Sequence, residues 1–168
     1  VGEYLVEYLS KEGAQLFISD IHEETVKRVA NQYGAVQINL DEIYDVDMDI
    51  YAPCALGGTL NDDTLDRLKC SIVAGAANNQ LQHENTHGQL LLDKGIIYAP
   101  DFAINAGGVI NCFSEVEGLS SDWALKKAQD IYSTIYTIVN RSQDEKIPSH
   151  LIAMKMAQEK IDAAHKSL

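Results

Sequence analysis

Ala14-Gln15-Leu16-Phe17-Ile18-Ser19-Asp20-Ile21 is the stretch on which the architecture turns. Leu16 to Ser19 is a short apolar run, and Asp20 closes it with a carboxylate. Upstream, Val1 to Glu12 reads as an amphipathic helix with Leu5, Tyr8 and Leu9 on one face, and Gly13 is a natural stop. Helix, strand and acid in that order describe a nucleotide-binding α/β unit. In such a unit the acid at the tip of the second strand accepts hydrogen bonds from the 2′- and 3′-hydroxyls of an adenosine ribose and repels a 2′-phosphate. Gly2 stands about 20 residues before Asp20, where the third glycine of a G-x-G-x-x-G turn falls. The first two glycines, and the strand that should precede them, are not among these 168 residues. The expectation is a piece of a larger enzyme that opens inside a motif. Taken alone, Asp20 also suits a helix N-cap.

The alternation of helix and short strand continues. Glu23 to Tyr33 reads as a helix with Val26, Val29, Ala30 and Tyr33 on one stripe, and Ala35 to Ile38 as a strand. One helical turn is expected at Asp41 to Tyr44 and a buried strand at Met48 to Ala52. Asn61 caps a helix to about Leu68. Ser71 to Gly75 reads as a strand, Glu84 to Asp93 as a helix, Ile96 to Ala99 as a strand, and Ala106 to Val116 as a helix. After the bend at Gly118 to Ser121 the chain turns wholly helical. Ser121 is read as the cap of a helix over about Asp122 to Asp144, and Pro148-Ser149 starts another to about Lys166. Leu125, Ala128, Ile131, Ile135 and Ile138 recur at helical spacing, which predicts core packing more readily than a partner-binding face. The fold class is therefore α/β. It is a Rossmann-like, doubly wound and mostly parallel sheet over residues 1–118, its first strand missing from the chain, followed by a helical tail over 119–168.

In open α/β sheets ligands bind beyond the carboxyl ends of the strands, so the residues after each strand carry the chemistry. After the second strand come Asp20 and Ile21. Pro53-Cys54-Ala55-Leu56-Gly57-Gly58 follows the Met48–Ala52 strand, Ala76-Ala77-Asn78-Asn79 the next, and Pro100 to Gly108 the last. Small residues there admit a cofactor close to the backbone. Asn78 and Asn105 each offer an amide donor and a carbonyl acceptor, which suits a carboxamide or a substrate amino group. Singly, the glycines and asparagines could be turn formers, and Cys54 a small buried hydrophobe. Their recurrence at matching strand ends favours a site.

Four strings carry a family resemblance: AQLFISDI (14–21), DIYAPCALGGTLND (49–62), IVAGAANNQL (72–81) and IIYAPDFAINAGGVIN (96–111). They resemble the cofactor domain of the leucine/phenylalanine/valine dehydrogenases, relatives of glutamate dehydrogenase, and the likeness spans nearly the whole chain. INAGGVIN together with NNQL looks most like the leucine branch. The resemblance implies NAD as cofactor and oxidative deamination of an L-amino acid to a 2-oxo acid and ammonia. It places Gly2 at the pyrophosphate turn and Asp20 on the adenosine ribose, with Ile21 beside the adenine. It places Cys54, Ala55 and Leu56 along the adenosine path, Ala77 and Asn78 near the nicotinamide ribose, and Asn105 between nicotinamide and substrate. Val109 and Cys112 fall at the apolar substrate pocket, Cys112 where that branch often has Val. The acid–base Lys and Asp are implied in an N-terminal domain outside this chain, so no catalytic group is assigned here. The resemblance further implies a homo-oligomer whose tail helices lean on that domain.

Bulk properties agree. At 46% apolar and 23% charged residues the composition is that of an ordinary globular protein. A net charge of −12 argues against a nucleic-acid partner, because no basic stripe is there to release counterions. Three widely spaced cysteines, Cys54, Cys70 and Cys112, suit reduced thiols in a cytosol rather than a disulfide framework, so a cytoplasmic location is expected. No apolar run approaches the ~20 residues of a membrane span. Two rival readings stand beside the dehydrogenase. One is a free-standing nucleotide sensor. The other is a zinc site at His83-Glu84-Asn85-Thr86-His87, which matches H-E-x-x-H but lacks a third ligand and competes with an exposed helix start.

Overall fold

The computed structural model describes residues 1–166, so the last two positions of the 119–168 segment lie outside the described residues. The order is α1 (Gly2–Lys11), β1 (Phe17–Ile18), α2 (Glu23–Tyr33), β2 (Val36–Gln37), a 3-10 turn at Ile43–Asp45, β3 (Ile50–Tyr51), α3 (Asp62–Arg67) and β4 (Ile72–Val73). It continues with α4 (Glu84–Asp93), β5 (Ile97–Tyr98), α5 (Asp101–Ile104), α6 (Gly107–Val116), α7 (Ser121–Glu145) and α8 (Ser149–His165). All strand pairs are parallel: Phe17 faces Val36, Ile50 faces Ile72, and Ile72 faces Ile97. The α/β class and parallel pairing follow the sequence reading.

The sheet is divided. β1 pairs with β2, β4 lies between β3 and β5, and β1 does not pair with β3. This is where the doubly wound order expects a central strand, and Ile50 on β3 remains 50% exposed. The strands are also shorter than the apolar runs predict, although their hydrogen bonds reach one residue further at each end, as in Val36 N to Leu16 O at 2.8 Å and Ala99 N to Val73 O at 2.9 Å.

The main core packs Leu60, Leu65, Val73, Leu91 and Tyr98 between the three-stranded sheet and helices α3 and α4. A second core joins the tail to it, with Ile138 of α7 against Ile152 and Ala153 of α8, and Ala103 packed alongside. Three details differ from expectation. The cap of α7 is Ser120, whose hydroxyl accepts from Trp123 N at 3.2 Å, not Ser121. The α7 stripe starts at buried Ala124 while Leu125 is 65% exposed, because the packed face is shifted by one residue at that end. On α1, Tyr8 is 65% exposed and no residue is buried.

Candidate functional site

The loops after β3 and β4 are locked together by their backbones. Ala77 N donates to Pro53 O at 2.9 Å and Gly58 N to Asn79 O at 2.7 Å. Leu60 N donates to Gln80 O and Gln82 N to Leu60 O, both at 3.0 Å, which extends the parallel ladder past the strand tips as a bridge between Leu60 and Leu81. Gly57 is required at this contact. A Cβ there would lie 2.7 Å from Asn78 O and 2.8 Å from Asn79 O, too close for any side chain. Asn79 holds φ at +52°, a left-handed conformation that Asn tolerates.

The loop after β5 joins them through a side chain. Asn105 Nδ2 donates to Asn78 Oδ1 at 2.5 Å and to Ala76 O at 3.3 Å. Those bonds leave Asn105 an acceptor oxygen and Asn78 a donor nitrogen, side by side beyond the tips of β4 and β5. The start of α5 is steadied by Tyr98, whose hydroxyl donates to Asp101 Oδ1 and accepts from Asp101 N, each at 3.3 Å. Burial pushes the Tyr98 phenol well up, so it stays protonated and keeps its donor role.

Other expected residues fall around this pair. Gly2, the first residue of α1, is beside Cys54: a Cβ on Gly2 would lie 3.5 Å from Cys54 Cβ. Ala77 is buried under the β3 loop, Cys54 is half-buried, and Ala55 is exposed. Leu56 and Ile21 are 70% and 67% exposed, two apolar side chains held in the open. Asp20 is not the N-cap of α2, a position taken by His22. Its Oδ1 accepts from His22 N at 3.0 Å in a side-chain turn that fixes the carboxylate just past β1. Among the described residues, Asp20 makes no hydrogen bond to the other candidates. Val109 and Cys112 lie one turn apart on α6, and both are exposed.

Two polar side chains are fully buried here, and sequence reasoning foresaw the burial of neither. Gln80, with no exposure, donates from Nε2 to Gly75 O at 2.8 Å and to Ala77 O at 2.9 Å, inside the loop that carries Asn78. Its only signal was a polar residue trailing two asparagines. His87 is also fully buried, against the expected exposed helix start. His83 N donates to His87 Nδ1 at 2.9 Å, and His87 Nε2 meets Asp62 Oδ1 at 3.3 Å. With Nδ1 accepting, the ring proton of neutral His87 sits on Nε2. Nδ1 is thus held by the backbone that opens α4 itself, and Nε2 reaches across to Asp62 of α3.

This arrangement has known counterparts. Residues 4–168 match the model of the family described as Glutamate/Leucine/Phenylalanine/Valine dehydrogenase. Over 163 residues the chain is 47% identical to leucine dehydrogenase of Thermoactinomyces intermedius, covering 97% of this chain and 44% of that protein. The crystal structure of L-tryptophan dehydrogenase from Nostoc punctiforme matches with a TM-score of 0.95 and 41% identity, covering 97% of this chain and 49% of that one. A hetero-hexameric glutamate dehydrogenase from Thermus thermophilus, 16% identical, shares the fold with a TM-score of 0.70 over 98% of this chain and 44% of its own. The chain spans about half the length of the curated relatives it matches. With strand-tip loops of this build, and a match that runs nearly end to end, the chain belongs to the glutamate/leucine/phenylalanine/valine dehydrogenase family.

Proposed function

We propose that this chain is the cofactor-binding part of an NAD-dependent amino-acid dehydrogenase, with leucine as the preferred substrate and a 2-oxo acid and ammonia as products. The observation that carries the reading is the bonded Asn105–Asn78 pair, which offers one acceptor and one donor at the strand ends where ligands of such sheets bind. A dinucleotide fits the surrounding residues. Gly2 keeps the N-terminal end of α1 open beside Cys54, where orphan N–H groups suit a pyrophosphate. Asp20 suits the ribose hydroxyls, and exposed Ile21 and Leu56 offer apolar surface to a base. Ala55 and Ala77 keep the path between these residues narrow in side chain.

Bound NAD would supply the hydride acceptor. The chain's own residues orient: Asn105 and Asn78 fix the carboxamide end against the substrate, and Val109 and Cys112 supply apolar surface for a branched side chain. Acid–base chemistry falls to a Lys and an Asp of an N-terminal domain, and the tail helices α7 and α8 lean toward that domain across the cleft. Closure of the cleft would exclude water. The whole enzyme is a cytoplasmic homo-oligomer in this reading.

The test uses the complete natural polypeptide carrying this sequence, with leucine, valine, isoleucine, phenylalanine and tryptophan offered alongside NAD or NADP. Leucine with NAD should give the highest kcat/KM. Asp20→Ala should weaken NADH binding about tenfold or more, since hydrogen bonds to a charged group are worth ~1.5–3 kcal/mol. It should also narrow the gap to NADP. Oxidation of none of the amino acids, or an unchanged preference for NAD over NADP in the variant, would falsify the assignment.

A further inference from the structure

Among the described residues, five buried side-chain polar atoms have no hydrogen-bond partner: Ser19 Oγ, Thr59 Oγ1, Gln80 Oε1, and Nδ1 and Nε2 of His150. Buried polar atoms are normally satisfied, so each exception needs a reason. Three of the five belong to two side chains, Gln80 and His150, and both line one small cavity of about 10 Å³ with Asn79, Glu84, Asp101 and Phe102. A space of that size admits about one water-sized hydrogen-bonding bridge.

His150 is the second residue of α8 and is 4% exposed, with Ser149, Ile152 and Ala153 buried around it. Its ring is seated on the backbone of α4 at Gly88, where any Cβ would overlap the imidazole. At the other side of the cavity, the amide nitrogen of Gln80 grips Gly75 O and Ala77 O. The loop over residues 75–79 is therefore held from inside by Gln80 and from outside by Asn105, which binds Asn78 Oδ1 and Ala76 O.

We propose that His150 is a positioning residue for the Asn78–Asn105 pair, acting through Gln80. A neutral imidazole presents one N–H donor and one acceptor, and the donor complements Gln80 Oε1 through the water-sized space between them. Burial keeps the ring on the neutral side, against the pull of the Glu84 carboxylate from α4 and the Asp101 carboxylate from the start of α5. Helix α8 thereby fixes the depth of the Gln80 amide in the loop, and with it the place of the Asn78 side chain. This inference rests on the reading that Asn78 and Asn105 face the nicotinamide.

The experiment compares wild type, His150→Phe and His150→Gln in the complete natural polypeptide. Phe keeps an aromatic ring and removes the N–H; Gln keeps an amide donor. NADH titration, kcat, KM and Tm are measured for each. His150→Phe should raise the Kd for NADH and the KM for NAD about fivefold, the worth of one net hydrogen bond. His150→Gln should return both to about twofold of wild type, on the same scale. Unchanged NADH affinity in both variants, with Tm alone lowered, overturns the proposal and leaves the dehydrogenase reading intact. Wild type that binds no NADH overturns both. Should His150→Phe fail to fold, the imidazole ¹⁵N resonances of wild type, assigned by their loss in His150→Gln, decide the matter. They should shift when NADH saturates the site, and resonances that stay in place reject the coupling.

Discussion

At the scale of single residues, His150 is where pH reaches this fold. Burial lowers its pKa from the ordinary 6.5, with Glu84 and Asp101 opposing the shift. In the unfolded chain the ring protonates as pH falls through its ordinary value, while the folded ring resists. The unfolded state then binds more protons, so stability rises with pH across that window and drops as pH is lowered through it. Tm should therefore fall between pH 7.5 and 5.5, and His150→Gln should remove part of that slope; Tm–pH curves that stay parallel would show the ring titrates alike in both states. None of this was legible in the sequence, where His150 was one polar residue near a helix start. Asp20, Cys54, Asn78 and Asn105 could be singled out as candidates because they follow strands, and strand ends can be found from local pattern; Gly2 was singled out by its spacing from Asp20. The burial of Gln80, His87 and His150 was not legible, because which polar side chains the core encloses depends on how distant segments pack over them. His150 is buried by α4, Gly88 and the loop at Gln80, some 60 to 70 positions earlier.

At the scale of elements, local chemistry decided what could be read. The helices α2 and α4 have the ends that their apolar stripes and stop signals predict, Glu23–Tyr33 and Glu84–Asp93. The strand bounds did not transfer, because pairing depends on neighbours and not on the apolar run itself. Helix α5 was read as loop, since four residues behind Pro100 give too short a period to detect. The cap of α3 was predicted and is more elaborate than expected. Asn61 Oδ1 accepts from Thr64 N and Asn61 N donates to Thr64 Oγ1, each at 3.1 Å, while Asn61 Nδ2 donates to Gly58 O at 3.0 Å. The cap thus anchors both α3 and the loop that holds Cys54. Asn61→Ala should destabilise the protein by about 1–2 kcal/mol, toward the upper range for a lost N-cap. Asn61→Asp keeps the acceptor, loses the bond to Gly58, and should fall between. Urea midpoints measure both, and an Ala variant no less stable than Asp would show that the cap bond contributes nothing.

At the scale of the whole molecule, the divided sheet sets how stability is distributed. Between residues 1 and 50, only Val26 and Val29 are buried. From Tyr51 onward the core is continuous, with Leu60, Leu65, Val73 and Leu91 within 1% of full burial. The β1–β2 pair shares no ladder with β3, so the first unit cannot borrow stability through backbone hydrogen bonds across the sheet. The pair Arg28–Glu3, at 2.8 Å, ties α2 to α1, within that unit, and it is solvent-exposed, so it adds little. A two-stranded ribbon with two helices and this little burial is marginal in water. We predict that the 168-residue chain, expressed alone, does not unfold in one cooperative step. Hydrogen exchange should find the amides of Val36 and Ile38 opening well before those of Ala74 and Ala99, which bond across the three-stranded sheet. A strand seated between β1 and β3 would bring the two sets together, because it would cover half-exposed Ile50 and carry the ladder across. Burying the rest of that one side chain is worth on the order of 1 kcal/mol, and the continuous ladder would couple the two units into one cooperative fold. Equal protection of both sets in the isolated chain, with a single two-state melt in a monomer, would mean that α1 and α2 hold β1 and β2 without help from the sheet.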